Sequence, residues 1–271
     1  MAYKLIASDI DGTLVGEDSV VSKENLEAIK RMKELGVYFV PTSGRSFFEI
    51  PEALISCKDI RYYITSNGAC IYDKEKDEEL LFSISGEKLK EILSITEDYD
   101  VCYSAHREKW AYFDHRFSEE RMIYYTIEEA YRRVFETQTK HLESIFDFTK
   151  DDKTEMFVAF FHDMDERLAC IERLKKVEGI SVTGSIPYNV EIISSEATKG
   201  NALARLLKHL SIQKEETIAV GDSPNDFSLL GAAGTPLAVG NALPALKEVA
   251  SRVICSQSEH SAKYILENYL L

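Results

Sequence analysis

The sequence predicts an α/β fold, a doubly wound parallel sheet that is interrupted by an inserted α+β unit. At both ends of the chain, short runs that are apolar throughout alternate with amphipathic helical segments. Such runs are expected of parallel strands that helices cover on both faces. The middle of the chain loses this rhythm. We therefore expect one domain from residues 1–84 and 188–271, and a second domain from residues 85–187.

The first segment of the parallel-sheet domain contains three predicted strands, a capped helix and a hairpin. Ser22 is a suitable N-cap for a helix that Gly36 would end. Pro41 is expected to close the second strand. A charged stretch, residues 73–79, separates the two strands of the hairpin. The predicted strands are residues 4–8, 37–40, 62–65, 69–72 and 80–84.

The inserted unit is predicted to mix strands and helices without regular alternation. Its predicted strands are residues 101–105, 109–113, 154–162 and 180–184, and its predicted helices are residues 86–96, 126–146 and 164–176. We expect the chain then to return to the parallel sheet. The elements predicted there are strand 190–193, helix 199–210 and strands 217–220, 237–239 and 252–254.

The composition excludes some classes of partner. The chain has 271 residues and a formal net charge of −14, which disfavours nucleic acid and anionic membrane surfaces. A small anionic substrate remains compatible, because one cation in a cleft inverts the local field. No apolar run approaches the roughly 20 residues of a membrane-spanning helix, and the N-terminus lacks the order of a signal peptide. Five scattered cysteines without a Cys-x-x-Cys pair favour a reducing, cytoplasmic location.

Four polar clusters each fall at the carboxyl end of a predicted strand of the parallel-sheet domain. Ligand sites in open α/β sheets lie beyond the carboxyl ends of the strands. In the first cluster, Asp9-Ile10-Asp11-Gly12-Thr13, alternate residues of an extended segment point the same way, so the two carboxylates can converge. Such a pair suits a hard divalent metal or a nucleophile beside an acid/base. A simple Asp-Gly turn is the alternative.

The other three clusters each have a functional and a structural interpretation. Ser43 and the amides beside Gly44 suit phosphate oxygens, although Ser43 also suits a helix N-cap. Lys199 stands at a helix start, where a cation is unfavourable. It would neutralise carboxylates there, or it is a solvated surface lysine. Asp222 would complete a metal site, whereas Asn225 and Asp226 are also suitable caps.

Together and in this order, the clusters resemble the motifs of the haloacid-dehalogenase-like phosphatase superfamily. Within it they are similar to the Cof-like branch, whose cap is inserted between the second and third motifs. The matching residues are Asp9-Ile10-Asp11-Gly12-Thr13, Ser43, Lys199, and Asp222 with Asn225-Asp226. The segment Thr65-Ser66-Asn67-Gly68-Ala69 is also similar to one of this branch. Ser223-Pro224 stands at a position that the family varies.

The resemblance implies a Rossmann-like core, a cap and a Mg²⁺-dependent phosphatase mechanism. It implies that Asp9 is the nucleophile and Asp11 the acid/base. Mg²⁺ would bind Asp9, the backbone carbonyl of Asp11 and Asp222. The phosphoryl group would bind Ser43, the Gly44 amide and Lys199, while Asn225 would place the substrate or the metal waters and Asp226 would orient Lys199.

The implied substrate is a small phosphorylated metabolite, with sugar phosphates first. A phosphomutase and a non-catalytic phosphometabolite sensor are the alternatives, and monomer and homo-oligomer are both compatible with the sequence.

The inserted unit is expected to act as a lid that excludes water and selects the leaving group. Candidate contacts to a sugar or ring are Trp110, Tyr112, Phe113, Tyr124 and Tyr125, with ordinary packing as the alternative. Asn189 or Glu191, on the return to the parallel sheet, is expected to face the cleft. The spacing of the histidines in this unit does not suggest metal ligands.

Overall fold

The computed structural model describes residues 2–16, 20–116, 138–184 and 187–271. The chain divides into two compact units. The first unit comprises Met1–Arg45, Ile50–Leu80 and Thr198–Leu271, and the second comprises Ser46–Glu49 and Leu81–Ala197. The sequence placed the divisions after residues 84 and 187, so in the structure the second unit begins earlier, ends later and includes a short segment from the first half of the chain.

The first unit contains an eight-stranded sheet in the order β14-β13-β12-β1-β2-β3-β4-β5. The central strand, β1, is fully buried and pairs in parallel with both β12 and β2. The pairing of β3 with β4 is antiparallel. The strands are β1 (Leu5–Asp9), β2 (Tyr38–Thr42), β3 (Tyr62–Thr65), β4 (Cys70–Asp73), β5 (Glu78–Leu81), β12 (Thr217–Gly221), β13 (Thr235–Ala238) and β14 (Arg252–Val253).

The helices of the first unit are α1 (Lys23–Glu34), α2 (Glu52–Ile55), α5 (Lys199–Leu210), α6 (Phe227–Ala232), α7 (Pro244–Val249) and α8 (Ser261–Ile265). The two helices for which the sequence predicts bounds, α1 and α5, begin and end close to the predicted residues. The Ser22 hydroxyl accepts a hydrogen bond from the Asn25 amide, as an N-cap does. Thr198 caps α5 in the same way. The expectation that Pro41 closes the second strand is wrong, because β2 continues to Thr42; proline is compatible with an extended backbone and removes only one N–H donor.

The second unit contains a six-stranded sheet in the order β10-β11-β9-β6-β7-β8. Its strands are β6 (Val101–Arg107), β7 (Trp110–Asp114), β8 (Thr139–Leu142), β9 (Met156–Phe161), β10 (Ile180–Thr183) and β11 (Asn189–Ser194), and its helices are α3 (Gly86–Thr96) and α4 (Met164–Leu174). The alternate residues Val101, Tyr103 and Ala105 of β6 belong to a buried apolar core with Leu89, Ile92 and other residues. One face of this sheet is thus covered in the way the alternation requires.

Two expectations for the second unit are wrong. Residues 139–142, predicted as helix, form β8, which pairs in parallel with β7; the remainder of the predicted helix before residue 138 lies outside the described residues. The strand predicted to return the chain to the parallel sheet, β11, pairs antiparallel with β9 and β10 instead. Its apolar sequence suits a buried strand in either sheet, and only the choice of partner distinguishes them.

Candidate active site

The candidate site lies at the carboxyl ends of three neighbouring strands of the first unit. Asp9 is the last residue of β1 and pairs with Thr42 at the end of β2. Gly221 ends β12 on the other side of β1. The residues that follow these strand ends therefore lie at one edge of the sheet, as the sequence predicted.

A buried ionic group forms the centre of the site. Lys199 Nζ lies 2.5 Å from Asp9 Oδ1 and 2.7 Å from Asp226 Oδ1. The side chains of Lys199 and Asp226 are 0% exposed, and that of Asp9 is 6% exposed. The interpretation of Lys199 as a solvated surface lysine is thus wrong. The helix dipole disfavours a cation at the start of α5, and the carboxylates of Asp9 and Asp226 compensate for this.

The pKa values reflect an excess of buried acid. Burial raises the pKa of Asp9 well above its ordinary value, and the carboxylate of Asp226 raises it further. Burial and Asp226 also raise the pKa of Asp222. Burial alone would lower the pKa of Lys199, but the carboxylates of Asp226 and Asp9 more than offset this and raise it. Lys199 therefore stays charged, whereas Asp9 and Asp222 bind a proton more readily than ordinary aspartates do.

The same residues fit a divalent metal ion. One carboxylate oxygen from each of Asp9, Asp222 and Asp226 lies within 4.8 Å of the others. Asp9 Oδ2 is buried and has no hydrogen-bond partner among the described residues, and such an oxygen is costly unless a cation or donor meets it. Oxygen ligands are those that Mg²⁺ prefers. Three carboxylates face one ammonium, so the charge of the set also suits a dication.

Gly12 and Thr13 hold Asp222 in place. The Thr13 hydroxyl donates to Asp222 Oδ1 at 2.9 Å. Gly12 has a φ of +81°, and a Cβ at this position would lie 2.6 Å from Asp222 Oδ2. Glycine is thus required here both by its conformation and by the close approach of the carboxylate. The sequence identified this segment but gave these two residues no role.

Asp11 and Asp9 have different surroundings, although both belong to the first motif. The Asp11 side chain is 47% exposed. It accepts two hydrogen bonds from the Arg45 guanidinium, from Nε at 2.9 Å and from Nη2 at 2.6 Å. It is absent from the three-carboxylate group of Asp9, Asp222 and Asp226. No role was assigned to Arg45 from the sequence.

Ser43 begins a turn and not a helix. It is buried, its amide donates to the carbonyl of Ile64, and its hydroxyl accepts from the Arg45 amide at 3.1 Å. The next helical turn begins only at Phe47. The helix-cap interpretation of Ser43 is therefore wrong, and the hydroxyl lies one residue beyond the end of β2.

The fourth cluster combines capping with a role in the ionic group. Asp226 Oδ2 accepts from the amides of Asp222 and Ser223 at 3.0 and 3.1 Å, while its Oδ1 meets Lys199. Asn225 accepts from the Ser223 hydroxyl at 2.8 Å and donates to Asn67 Oδ1 at 2.9 Å. The residue Asn67 was part of a quoted segment without an assigned role.

The residues that the sequence predicted to contact a ligand in the second unit differ in their burial. Trp110 and Tyr112 are half-buried, Phe113 is buried, and the Trp110 ring stacks on Phe48 with centroids 4.1 Å apart. Tyr124 and Tyr125 lie outside the described residues. Asn189 and Glu191 are buried neighbours, with Asn189 Nδ2 donating to Glu191 Oε1 at 3.2 Å.

No helix in the described ranges is both long and apolar enough to cross a membrane.

Comparison with known proteins identifies the class. A model of the haloacid dehalogenase-like hydrolase family matches residues 6–266, and the chain belongs to this family. Phosphatase YwpJ of Bacillus subtilis (strain 168) is 30% identical over 284 residues, which cover 98% of this chain and 100% of the relative. The 5-amino-6-(5-phospho-D-ribitylamino)uracil phosphatase YwtE of the same organism is 30% identical over 292 residues, with 98% of each chain covered.

Solved structures agree with this class. A haloacid dehalogenase-like hydrolase from B. subtilis has a TM-score of 0.82 at 29% identity and covers 98% of this chain and 99% of its own. The family, its fold and the phosphatase relatives together make the chain a phosphatase of the haloacid dehalogenase-like class.

Proposed function

We propose that this phosphatase hydrolyses phosphate monoesters of small metabolites through an aspartyl-phosphate on Asp9, with Mg²⁺ as its cofactor. The observation that carries the proposal is the buried group of Asp9, Lys199 and Asp226, in which Asp9 Oδ2 has no hydrogen-bond partner among the described residues. Burial excludes water from this carboxylate, and the contact between its Oδ1 and Lys199 fixes its orientation, as a nucleophile requires.

Asp9 and Asp222, with the backbone carbonyl of Asp11, are the ligands that we assign to Mg²⁺. The ion, when bound, would neutralise the approaching carboxylate and phosphate charges. Thr13 and Gly12 support this assignment because both contact Asp222 and fix its carboxylate.

The chemistry of the chain has two steps. In the first, an Asp9 oxygen forms a bond to phosphorus, the bond from phosphorus to the ester oxygen breaks, and Asp11 gives its proton to the leaving alcohol. In the second, Asp11 takes a proton from water, and the water oxygen attacks phosphorus. The bond from phosphorus to Asp9 then breaks, which releases inorganic phosphate and restores both acids.

The remaining residues hold the phosphoryl group. We assign its oxygens to the Lys199 ammonium, the Ser43 hydroxyl and the Gly44 amide, and assign substrate placement to Asn225. Asp226 orients Lys199, an assignment supported by their 2.7 Å contact and by the amides that fix the other Asp226 oxygen. Positioning and charge stabilisation supply most of the catalysis of phosphoryl transfer.

Sugar and polyol phosphates are the substrates that we expect first. The relative YwtE is named for a ribitylamino phosphate, whose phosphate stands on a polyol chain. In the second unit, the half-buried rings of Trp110 and Tyr112 offer apolar surface of the kind that packs against sugars. We assign selection of the leaving group to this unit, as a lid.

The test is hydrolysis of p-nitrophenyl phosphate and of a panel of sugar and polyol phosphates, with and without Mg²⁺. We expect Mg²⁺-dependent release of inorganic phosphate. A sugar phosphate that is isomerised without phosphate release would instead identify a phosphomutase. Phosphate-ester binding without turnover at any divalent metal concentration would identify a sensor and overturn the proposal.

A further inference from the structure

A strained turn follows β3. The φ values of Ser66, Asn67 and Gly68 are 52°, 56° and 98°, so three successive residues are left-handed. Two of them carry side chains, for which this region is unfavourable. Ser66 is 0% exposed and Asn67 is 7% exposed. Such strain persists only where the surroundings enforce it, and it is concentrated at functional sites.

The turn is bonded to the segment that carries Ser43. The Asn67 amide donates to the Ser43 carbonyl at 3.0 Å, and the Ser66 amide donates to the Arg45 carbonyl at 2.9 Å. A Cβ on Gly44 would lie 3.1 Å from Asn67 Oδ1. The backbone and the side chain of Asn67 therefore both limit the path of the Ser43–Arg45 segment.

The turn also meets the segments that carry Lys199 and Asn225. A Cβ on Gly68 would lie 2.3 Å from the Thr198 carbonyl oxygen and 2.7 Å from the Lys199 amide nitrogen. The backbone of the turn thus packs directly on the first residues of α5. Asn67 Oδ1 accepts a hydrogen bond from Asn225 Nδ2 at 2.9 Å. One turn therefore touches all three segments.

The hydrogen bonds of Asn225 leave it oriented and still able to donate. Its Oδ1 accepts from Ser223, and one of its two N–H groups donates to Asn67. An amide has two N–H donors, and the second has no partner among the residues that the structure describes, so it is available to a ligand. Without the Asn67 oxygen, the Asn225 amide would be held at one end only and would lose its fixed direction.

We infer that Asn67 is a positioning residue of the phosphate-binding site. Its side chain aims Asn225, and its backbone holds the segment of Ser43 at a fixed distance from the start of α5. This inference rests on the proposed function, because it takes Ser43, Lys199 and Asn225 to bind the phosphoryl group. In the left-handed turn, Asn67 contacts the segments of Ser43 and Asn225, and the adjacent Gly68 packs on the start of α5.

The test uses Asn67→Gly, Asn67→Ala, Asn225→Ala and the double variant of Asn67→Gly with Asn225→Ala. Glycine keeps the left-handed turn and removes only the side chain. The primary measurement is the Kd of inorganic phosphate in the presence of Mg²⁺, by calorimetry. We expect Asn67→Gly to weaken phosphate binding about tenfold and to raise KM similarly, with kcat lowered by no more than about threefold. Asn67→Ala should weaken binding equally and also lower the melting temperature.

Because Asn67 acts through Asn225, the double variant should bind phosphate no more weakly than the weaker single variant. Asn25→Ala is the matched control. Asn25 is equally an interior amide, 1% exposed, and its side chain bonds the Leu14 carbonyl and the Ala262 amide. This control should lower the melting temperature and leave the Kd of phosphate unchanged.

An unchanged Kd of phosphate in Asn67→Gly would overturn the inference. So would a double variant whose increase in Kd equals the product of the increases in the two single variants. The inference would also be overturned if Asn25→Ala raised the Kd of phosphate as much as Asn67→Gly does. The binding measurement also separates the two proposals. Phosphate binding without hydrolysis in the wild-type chain contradicts the proposed function and still tests Asn67, whereas no phosphate binding at all overturns both.

Discussion

The acidic cluster of the first unit and the histidine cluster of the second unit both bury acidic side chains, but they compensate the charge differently. In the acidic cluster of the first unit, the carboxylates of Asp9, Asp222 and Asp226 converge within 4.8 Å around one lysine. The histidine cluster of the second unit contains Glu49, His106, Asn189 and Glu191. There, Glu49 Oε2 accepts from the Ser46 amide at 2.8 Å and lies 3.4 Å from His106 Nε2, while Asn189 donates to Glu191.

The pKa shifts separate the two clusters further. Burial lowers the pKa of His106 below its ordinary value of 6.5, against the opposing influence of Glu49 and Glu191, so the imidazole is neutral at pH 7. In the acidic cluster, burial raises the pKa of Asp9 and neighbouring carboxylates raise it further. A buried polar group by itself is thus a poor indicator of a catalytic site. A local excess of like charge is a better one.

The largest expected effect comes from removing Asp9, the proposed nucleophile. Asp9→Asn should reduce turnover of p-nitrophenyl phosphate by more than about 10³-fold, because an amide does not replace the attacking carboxylate. The neutral side chain also relieves the repulsion that raises the pKa of Asp9, so the melting temperature of the metal-free protein should not fall. Turnover within about tenfold of wild type would refute the nucleophile assignment.

Removing the one lysine of the acidic cluster should cost both activity and stability. Lys199→Met leaves Asp9 and Asp226 buried without their partner, and breaking a buried pair in this way typically costs about 3–5 kcal/mol. Denaturant unfolding measures the loss. Lys175→Met, which breaks an exposed pair with Glu172, is the control and should leave unfolding unchanged. Equal unfolding curves for the two variants would contradict the comparison.

A smaller effect should follow from crowding Asp222. In Gly12→Ala the new Cβ would lie 2.6 Å from Asp222 Oδ2, so the carboxylate must move. We expect the Mg²⁺ concentration for half-maximal activity to rise roughly tenfold, as for other changes to groups that orient metal ligands.

Gly36→Ala provides the matched control for this change. Gly36 has a φ of +77° and no heavy atom within 4 Å of an added Cβ, so alanine meets the same backbone strain without the clash. It should lower the stability by about 1–2 kcal/mol and leave the Mg²⁺ requirement unchanged. A shifted Mg²⁺ requirement in Gly36→Ala would show that the backbone strain, and not the displaced carboxylate, is responsible.

The smallest effect concerns the histidine cluster. Because the pKa of His106 is lowered in the folded chain, the unfolded chain takes up a proton first as the pH falls. The stability from neutral His106 is therefore present above about pH 6.5 and is lost as the pH falls towards the folded pKa. His106→Gln should make the free energy of unfolding less dependent on pH between about 7.5 and 5.5. An equal or steeper dependence in the variant would contradict a lowered pKa of His106 in the folded chain.

Local signals predicted most of the helices and strands. The sequence bounds of α3 and α5 agree with the structure at both ends, because periodicity and capping residues act within a few positions. The assignment of β11 failed for a physical reason. An apolar strand suits a parallel or an antiparallel sheet, and its partners Met156–Phe161 and Ile180–Thr183 are chosen by the packing of the whole unit.

The site shows the same division between what local signals predict and what tertiary contacts decide. Residue type and position after a strand were enough to single out Asp9, Ser43, Lys199 and Asp222. They did not indicate that Asn67 would meet a residue 158 positions away, or that the exposed carboxylate of Asp11 would pair with Arg45.

The sequence by itself determined the α/β class and the order of the polar clusters, and it singled out the residues that we propose to carry the chemistry, since these follow from local pattern and residue type. Only the tertiary structure decided which charges meet, how far Lys199 is buried, and which turn holds the segments together. Burial and Coulomb energy depend on distances between residues that are remote along the chain, and no local pattern fixes those distances.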